Sequence, residues 1–411
     1  FLMLANKNGL HVGWLLGSLI IVVIPLFAIS SIMVQIEPPY HNITPMKILQ
    51  HHRTITETFM NDQQREEWIG VLKNNKIISV RGLSENEGKT DRYIVELEGG
   101  YLAYGKECHP NALVDFEWPL VSFQDPKLPD LIYPRRSNRV LSGWSEVGTS
   151  AVADIVFPGH KLPAVLRSVS SNFIWNCPDF MSWRRWFMYH LRSETTVPIS
   201  LSPYYHQITK SIPDVDYYRY LSRPEFPKSK VRGLDLDFAG QISDILVFDY
   251  LVDDHARQRS GNWNIDKMGK IIYMDGGLSF AHGPEGEDGC VDILCGAESW
   301  YKHSVTKIPP PPGMSCVPIC KFRKSTIEQF KELSPLQSKE KRLSYKIEKK
   351  LEGVPIFDYA IYYPIESKHP RFQYLASDFY SSLDHRVAKF LGHVDACVTE
   401  FGEEFVFSDF D

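Results

Sequence analysis

Residues 242–283 read ISDILVFDYLVDDHARQRSGNWNIDKMGKIIYMDGGLSFAHG, and the parsing of this stretch decides the fold. Its first ten residues are apolar except for Ser243, Asp244 and Asp249, and the spacing predicts an amphipathic helix over about 240–252. A loop crowded with Asp, His and Arg follows, from Asp253 to Asn262. Ile271 to Asp275 then predicts a short strand that ends in a carboxylate, and Gly276-Gly277 leaves room beside it. An acidic-basic loop followed by a strand-end carboxylate is what two metal-handling groups near a phosphate site require. Two other readings stay open: a solvated turn at Asp253-Asp254-His255, and a zinc site from Asp253, His255 and His282.

Phosphoryl transfer needs a cation on the phosphates, a carboxylate and an amide on metal ions, and a carboxylate near the incoming hydroxyl. Candidates occur in that frame. Lys106 ends the second of two strand-like runs, KIISVRGL (76–83) and RYIVELEGGYLAYGK (92–106), the latter folded at Gly99-Gly100. Glu146 opens a predicted helix over 145–157, where Val147, Ala151 and Ile155 share a face, and LPAVLRSVS (162–170) continues as a strand. Asn262 ends the polar loop and Asp275 ends the strand. Each has a plainer reading: a solvated lysine, a dipole-stabilising Glu, a turn-forming Asp. Their order along the chain says more than any one of them. Neither a GxGxxG before Lys106 nor a Walker motif is present, so the pattern is not that of an ordinary protein kinase.

The remaining chain divides into a small β-rich half and a larger helical half. NDQQREEWIGVLKNN (61–75) is helical. Residues 174–235, rich in aromatics and Pro, read as an insertion or linker, and 284–317 as a second excursion. Ser325 with Glu328 predicts a capping box, Pro335 a stop, and a charged helix then runs to about Gly353. A last helix over about 377–399 places Leu383, Val387, Leu391 and Val394 on one face.

The 411-residue chain has a net charge of −5, which gives no hint of nucleic-acid binding. Residues 8–36 carry no Asp, Glu, Lys or Arg, and 13–34 is long enough to span a bilayer. Lys7 before it and Glu37 after it favour a short cytosolic tail (1–12), a transmembrane signal anchor (13–34) and a lumenal stem (35–75). Asn42-Ile43-Thr44 is a glycosylation sequon just beyond the span. Seven cysteines in an oxidising compartment imply several disulfides and at least one odd thiol, and without a CxxC a zinc ribbon is not expected.

The segments ISDILVFDYL, IIYMDGGLSFAHG and CVPICKFRKSTIEQF, with SEVGTSAVADIVFPGHKLPAV and the tail DHRVAKFLGHVDAC, resemble the four-jointed kinases, Golgi type II membrane proteins related to the secretory casein kinases. The resemblance covers roughly 90–170 and 240–400 and is strongest around 242–283. It implies an α+β, two-lobed, atypical kinase-like fold over 76–411, with a β-rich lobe to about 170 and a helical lobe from about 171. It implies ATP with Mn²⁺ or Mg²⁺. Lys106 would hold phosphates and Glu146 would orient it or contact nucleotide-bound metal, while Asp275 and Asn262 would bind metal. It also implies a Cys320–Cys397 disulfide, and a Golgi-membrane protein with its catalytic domain in the lumen, or a shed form. The implied substrates are Ser or Thr of secreted or cell-surface proteins, or a glycan sugar hydroxyl.

One position departs from the family pattern. The loop's proton-accepting Asp falls on Ala256, beside Arg257, and Asp254 is the carboxylate that a shifted loop would put to use. A relative that binds nucleotide or a partner kinase without transfer is therefore the second expectation. A purely structural Golgi membrane protein is the third, and it leaves the ordered Lys, Glu, Asn and Asp unexplained.

Overall fold

The computed structural model describes residues 53–55, 60–82, 92–107, 142–170, 196–205, 209–210, 213–254, 263–273, 279, 294, 317–354, 376–407 and 409–410. The apolar segment 13–34, Asn42 and the cysteines other than Cys320 and Cys397 lie outside these residues. Among the described residues no helix is long and apolar enough to cross a membrane.

The sheet lobe is a five-stranded antiparallel sheet. In chain order its strands are β1 (Ile77–Gly82), β2 (Arg92–Leu97), β3 (Tyr101–Glu107), β4 (Val165–Ser170) and β5 (Thr196–Pro203), and in space they run β1-β2-β3-β5-β4. β2 and β3 turn over Gly99 and Gly100, both at positive φ (83° and 78°), which a side chain resists. Helix α1 (Asp62–Asn74) covers one face, with Val71 and Leu72 packed on Tyr93, Val95 and Leu201. Its first turn is closed by a reciprocal box, Gln64 N to Asn61 Oδ1 at 2.8 Å and Asn61 N to Gln64 Oε1 at 3.1 Å. The sheet lobe therefore takes in residues before 76: α1 packs on it, and Arg53 and Ile55 bridge to Tyr101 and Tyr205.

The interval 174–235, expected to be an insertion or linker, instead supplies the strand that lies between β3 and β4, then the short β6 (Thr209–Lys210) and helix α3 (Val215–Ser222). Pro198 and Pro203 within β5 disguise it, since proline normally argues against a central strand.

Helix α2 (Ser142–Val156) joins the lobes. Its Val147, Ala151 and Val152 belong to the helical core, and its start faces β3. Helix α4 (Leu236–Val252) runs through that core. The expected amphipathic helix is buried on every side from Ala239 to Val252, so its polar residues meet protein partners and not water. Ser243 donates to Lys321 O at 2.7 Å, and Asp244 accepts from Arg323 and Thr326, each at 2.9 Å.

A three-stranded sheet of β6, β7 (Asn264–Ile265) and β8 (Ile271–Ile272) stands beside α4. Helices α5 (Lys324–Glu332), α6 (Leu343–Lys350), α7 (Ala376–Phe401) and α8 (Glu403–Phe407) complete the lobe. The Ser325–Glu328 capping box does not form. Arg323 is the N-cap of α5, makes no side-chain cap, and sends its guanidinium to Asp244 and Asp237. Cys320 and Cys397 are joined by a disulfide that ties the approach to α5 to α7.

The chain end is locked by Asp409, which accepts from Tyr220 Oη at 2.6 Å and from Lys228 and Lys321. The Lys321 ammonium also lies over the rings of Tyr220 (4.5 Å) and Phe405 (4.4 Å). Burial pushes the Asp409 carboxyl up, but the bonds from Lys228, Lys321 and Tyr220 outweigh it and hold the value at about 2. A depressed folded value means stability present above the unfolded value and lost as pH falls through the folded one. Between pH 4 and 2, thermal melts should therefore fall more steeply for wild type than for Asp409→Asn. Parallel acid limbs would contradict the lock.

Candidate active site between the lobes

Lys106 sits near the end of β3, opposite Arg92 on β2 and Ser200 on β5. Its neighbour Gly105 is packed against Val95 and Tyr93 on the covered face, so alternation along the strand sends Lys106 the other way, toward α2. There its Nζ donates to Glu146 Oε2 at 2.8 Å. Both side chains are nearly buried, at 12% and 9% exposure, so this is no surface ion pair of negligible worth.

A second lysine completes the group, and the sequence reading missed it. Lys161 Nζ donates to the other oxygen of Glu146, Oε1, at 2.7 Å and to Tyr273 O at 3.0 Å. The available signal was a single charge inside the otherwise apolar run VFPGHKLPAV (156–165). Two ammonium groups thus meet the two oxygens of one carboxylate, and a lysine beside a carboxylate is the kind of cation that a phosphate site uses. Beside Lys161, burial holds the imidazole of His160 down at about 4, and Lys270 and Arg323 add to the effect against the pull of Asp237. His160 is therefore neutral at physiological pH.

The polar loop begins at the C-terminus of α4. Asp253 adopts a left-handed conformation (φ 57°) there, and its carboxylate faces Arg386 at 3.7 Å. Asp254 is buried too, with its backbone N–H bonded to Asp249 O at 2.8 Å. Its Oδ2 accepts from the Ser279 hydroxyl at 3.3 Å, and Ser279 O accepts from Ser145 Oγ at 3.0 Å. Asp254, the segment just past Asp275 and the residue before Glu146 are thus linked in one chain of hydrogen bonds. Asn262, Asp275, Ala256, His255 and His282 lie outside the described residues, but Tyr273, two positions before Asp275, is held by Lys161.

A cavity of about 320 Å³ lies elsewhere, lined by Phe157, Pro158, His160, Asp244, Lys270 and Arg323 among others. Neither Lys106, Glu146 nor Lys161 lines it. Its charges are matched among themselves, Arg323 with Asp237 and Asp244 and Lys270 with Asp237, so it fits a structural role better than the paired site does.

No protein-family model matches the chain, and no curated protein matches it in sequence. Solved structures do. The Golgi casein kinase superposes with a TM-score of 0.52 at 14% identity, covering 87% of this chain and 82% of that one. The same kinase with Mn and ADP bound gives 0.53 at 14% identity, covering 87% and 81%. This chain carries a Golgi casein kinase-like fold. A hydra Fam20 solved with sugar is also similar, at a TM-score of 0.49 and 16% identity over 88% of this chain and 97% of that one. The fold is the two-lobed kinase-like one, with the Lys106–Glu146 pair at the junction of its sheet and helical lobes.

Proposed function

We propose that this protein is an ATP-dependent phosphotransferase of the secretory pathway that phosphorylates Ser or Thr hydroxyls of lumenal, secreted or cell-surface proteins. The observation that carries the reading is the Lys106–Glu146 pair, 2.8 Å apart, where the two lobes of a Golgi casein kinase-like fold meet. A neighbour solved with Mn and ADP supports a nucleotide with Mn²⁺ or Mg²⁺ as the cofactor. Lys106 would hold phosphate oxygens, and Glu146 keeps its ammonium in place. Asp275 and Asn262 are hard oxygen donors of the type these ions take. The bound metal would neutralise charge that develops on the transferred phosphoryl group.

Asp254 is proposed as the carboxylate that orients the acceptor hydroxyl in place of Ala256. Asp253 faces the Arg386 cation, whereas Asp254 meets the hydroxyl of Ser279, in the segment that follows Asp275. The apolar run 13–34 is proposed as a single-pass Golgi anchor, with Asn42 glycosylated and the kinase-like domain lumenal or shed. The Cys320–Cys397 disulfide supports an oxidising compartment. Ala256 favours a second reading, a nucleotide-binding relative that acts by contact without transfer.

The test is transfer of labelled phosphate from ATP with Mn²⁺ to casein, lumenal protein domains and proteoglycan sugar acceptors. Wild type is expected to label a protein acceptor, and Asp254→Asn to lower the rate about 100-fold, in the range for losing a positioned proton acceptor. Labelling of sugar alone moves the acceptor class to glycans. Nucleotide binding with no labelled acceptor establishes the second reading.

A further inference from the structure

Lys161 is 2% exposed. An ammonium that deep is costly unless paired and hydrogen-bonded, so its surroundings show what the position is for. Its Nζ meets Glu146 Oε1 at 2.7 Å and Tyr273 O at 3.0 Å. The backbone around it is fixed as firmly. Tyr273 N donates to His160 O at 3.0 Å, and Arg65 of α1 donates through Nη1 to Lys161 O at 2.8 Å. Ser150 Oγ of α2 donates to Leu162 O at 3.3 Å. Three segments far apart in sequence therefore converge on one dipeptide: α1, α2 with its Glu146, and the strand end that leads to Asp275.

We propose that Lys161 is a positioning residue of this site, holding α2 and the β8 strand end in one fixed relation so that Lys106 is presented to a nucleotide in one direction. The geometry gives the reason. Glu146 shares its two oxygens between two lysines, one each. With Oε1 anchored by Lys161, Oε2 has a set direction and so does Lys106. Without Lys161 the carboxylate loses a buried cation on Oε1 and holds Lys106 less firmly. Tyr273 O meanwhile loses its charged donor, and the strand end is freed from α2. Arg65 extends the same joint to the helix nearest the proposed membrane anchor.

The nucleotide arm of the test rests on the phosphotransferase reading, and the exchange arm does not. Amide hydrogen exchange at Tyr273 in nucleotide-free protein is compared for wild type, Lys161→Met and Lys161→Gln, with amides of α7 as the control for global folding. Lys161→Met should speed Tyr273 exchange about tenfold or more while α7 stays unchanged, because local opening then exceeds global unfolding. Lys161→Gln keeps a donor for Tyr273 O but loses the charge, so it should preserve more of the Tyr273 protection. Both variants should weaken ATP–Mn²⁺ binding about tenfold. On a Glu146→Gln background Lys161→Met should add less than about twofold, since residues in one network are not additive. Should the Met variant fail to fold, the Gln variant decides: unchanged nucleotide affinity overturns the proposal. Additive losses, or Tyr273 exchange within twofold of wild type in Lys161→Met, overturn it as well. If wild type binds no nucleotide, the phosphotransferase reading fails, and Tyr273 exchange still decides whether Lys161 holds the joint.

Discussion

Replacing Cys320 and Cys397 together by serine is expected to lower the unfolding free energy by about 4.5 kcal/mol, in the chain-entropy account of a closed loop of this length. The two residues are 77 positions apart, and the loop between them contains α5, α6 and most of α7. Opening it gives the unfolded chain many more arrangements while the native contacts change little. A loss of that size is a large share of the stability of an ordinary domain. Denaturant titration of the double variant measures it, and non-reducing peptide mapping of wild type checks the pairing. Both thiols alkylating in native wild-type protein would contradict the bridge. His393 lies beside the pair, its ring nitrogen 2.8 Å from Ile319 O, and burial holds it below the usual range for histidine.

Phe390→Ala is the second large effect, expected to cost about 4 kcal/mol as a buried aromatic cut to a methyl in a packed core. Phe390 is fully buried on α7, and its ring lies 5.1 Å from that of Phe330, 5.4 Å from Phe322 and 6.3 Å from Tyr250. One side chain thus joins α4, the approach to α5, α5 itself and α7, and no neighbour can collapse into the space without leaving another. Urea denaturation of the variant provides the check. A loss below about 1 kcal/mol would mean the cluster repacks.

That helix also shows what periodicity can and cannot deliver. Leu383, Val387 and Val394 are buried as their spacing predicts, whereas Leu391 is only partly buried and Phe390 takes its place in the core. A stripe of residues four apart drifts round a helix of 3.6 residues per turn, so the inward face passes to a neighbouring column. The strands β1 to β4 were legible because their short runs are rich in β-branched and aromatic residues beside turn residues. β5 was not, because its prolines resemble loop punctuation and its place in the sheet depends on partners remote in sequence. α4 was recognised as a helix but misjudged as amphipathic. Its Asp244 and Ser243 look like a wet face until Arg323, Thr326 and Lys321 are found against them.

Part of the candidate site rests on elements of the same kind. Lys106 and Glu146 belong to elements the sequence announces, and they meet at 2.8 Å. Lys161 belongs to a connection with no periodicity, so only the fold reveals that it shares the same carboxylate. The Asp254–Ser279–Ser145 chain was hidden likewise, because serine spacing carries no signal until three segments remote in sequence are brought together.

The junction of the lobes is expected to bind a nucleotide with its metal. Isothermal titration of the protein with ATP, in the presence and absence of Mn²⁺, tests it, with Lys106→Met and Asp275→Ala as comparisons. Wild type is expected to bind in a metal-dependent manner, and both variants to lose that binding. A wild-type protein that binds no nucleotide with Mn²⁺ or Mg²⁺, or one that binds equally well after both substitutions, would contradict it.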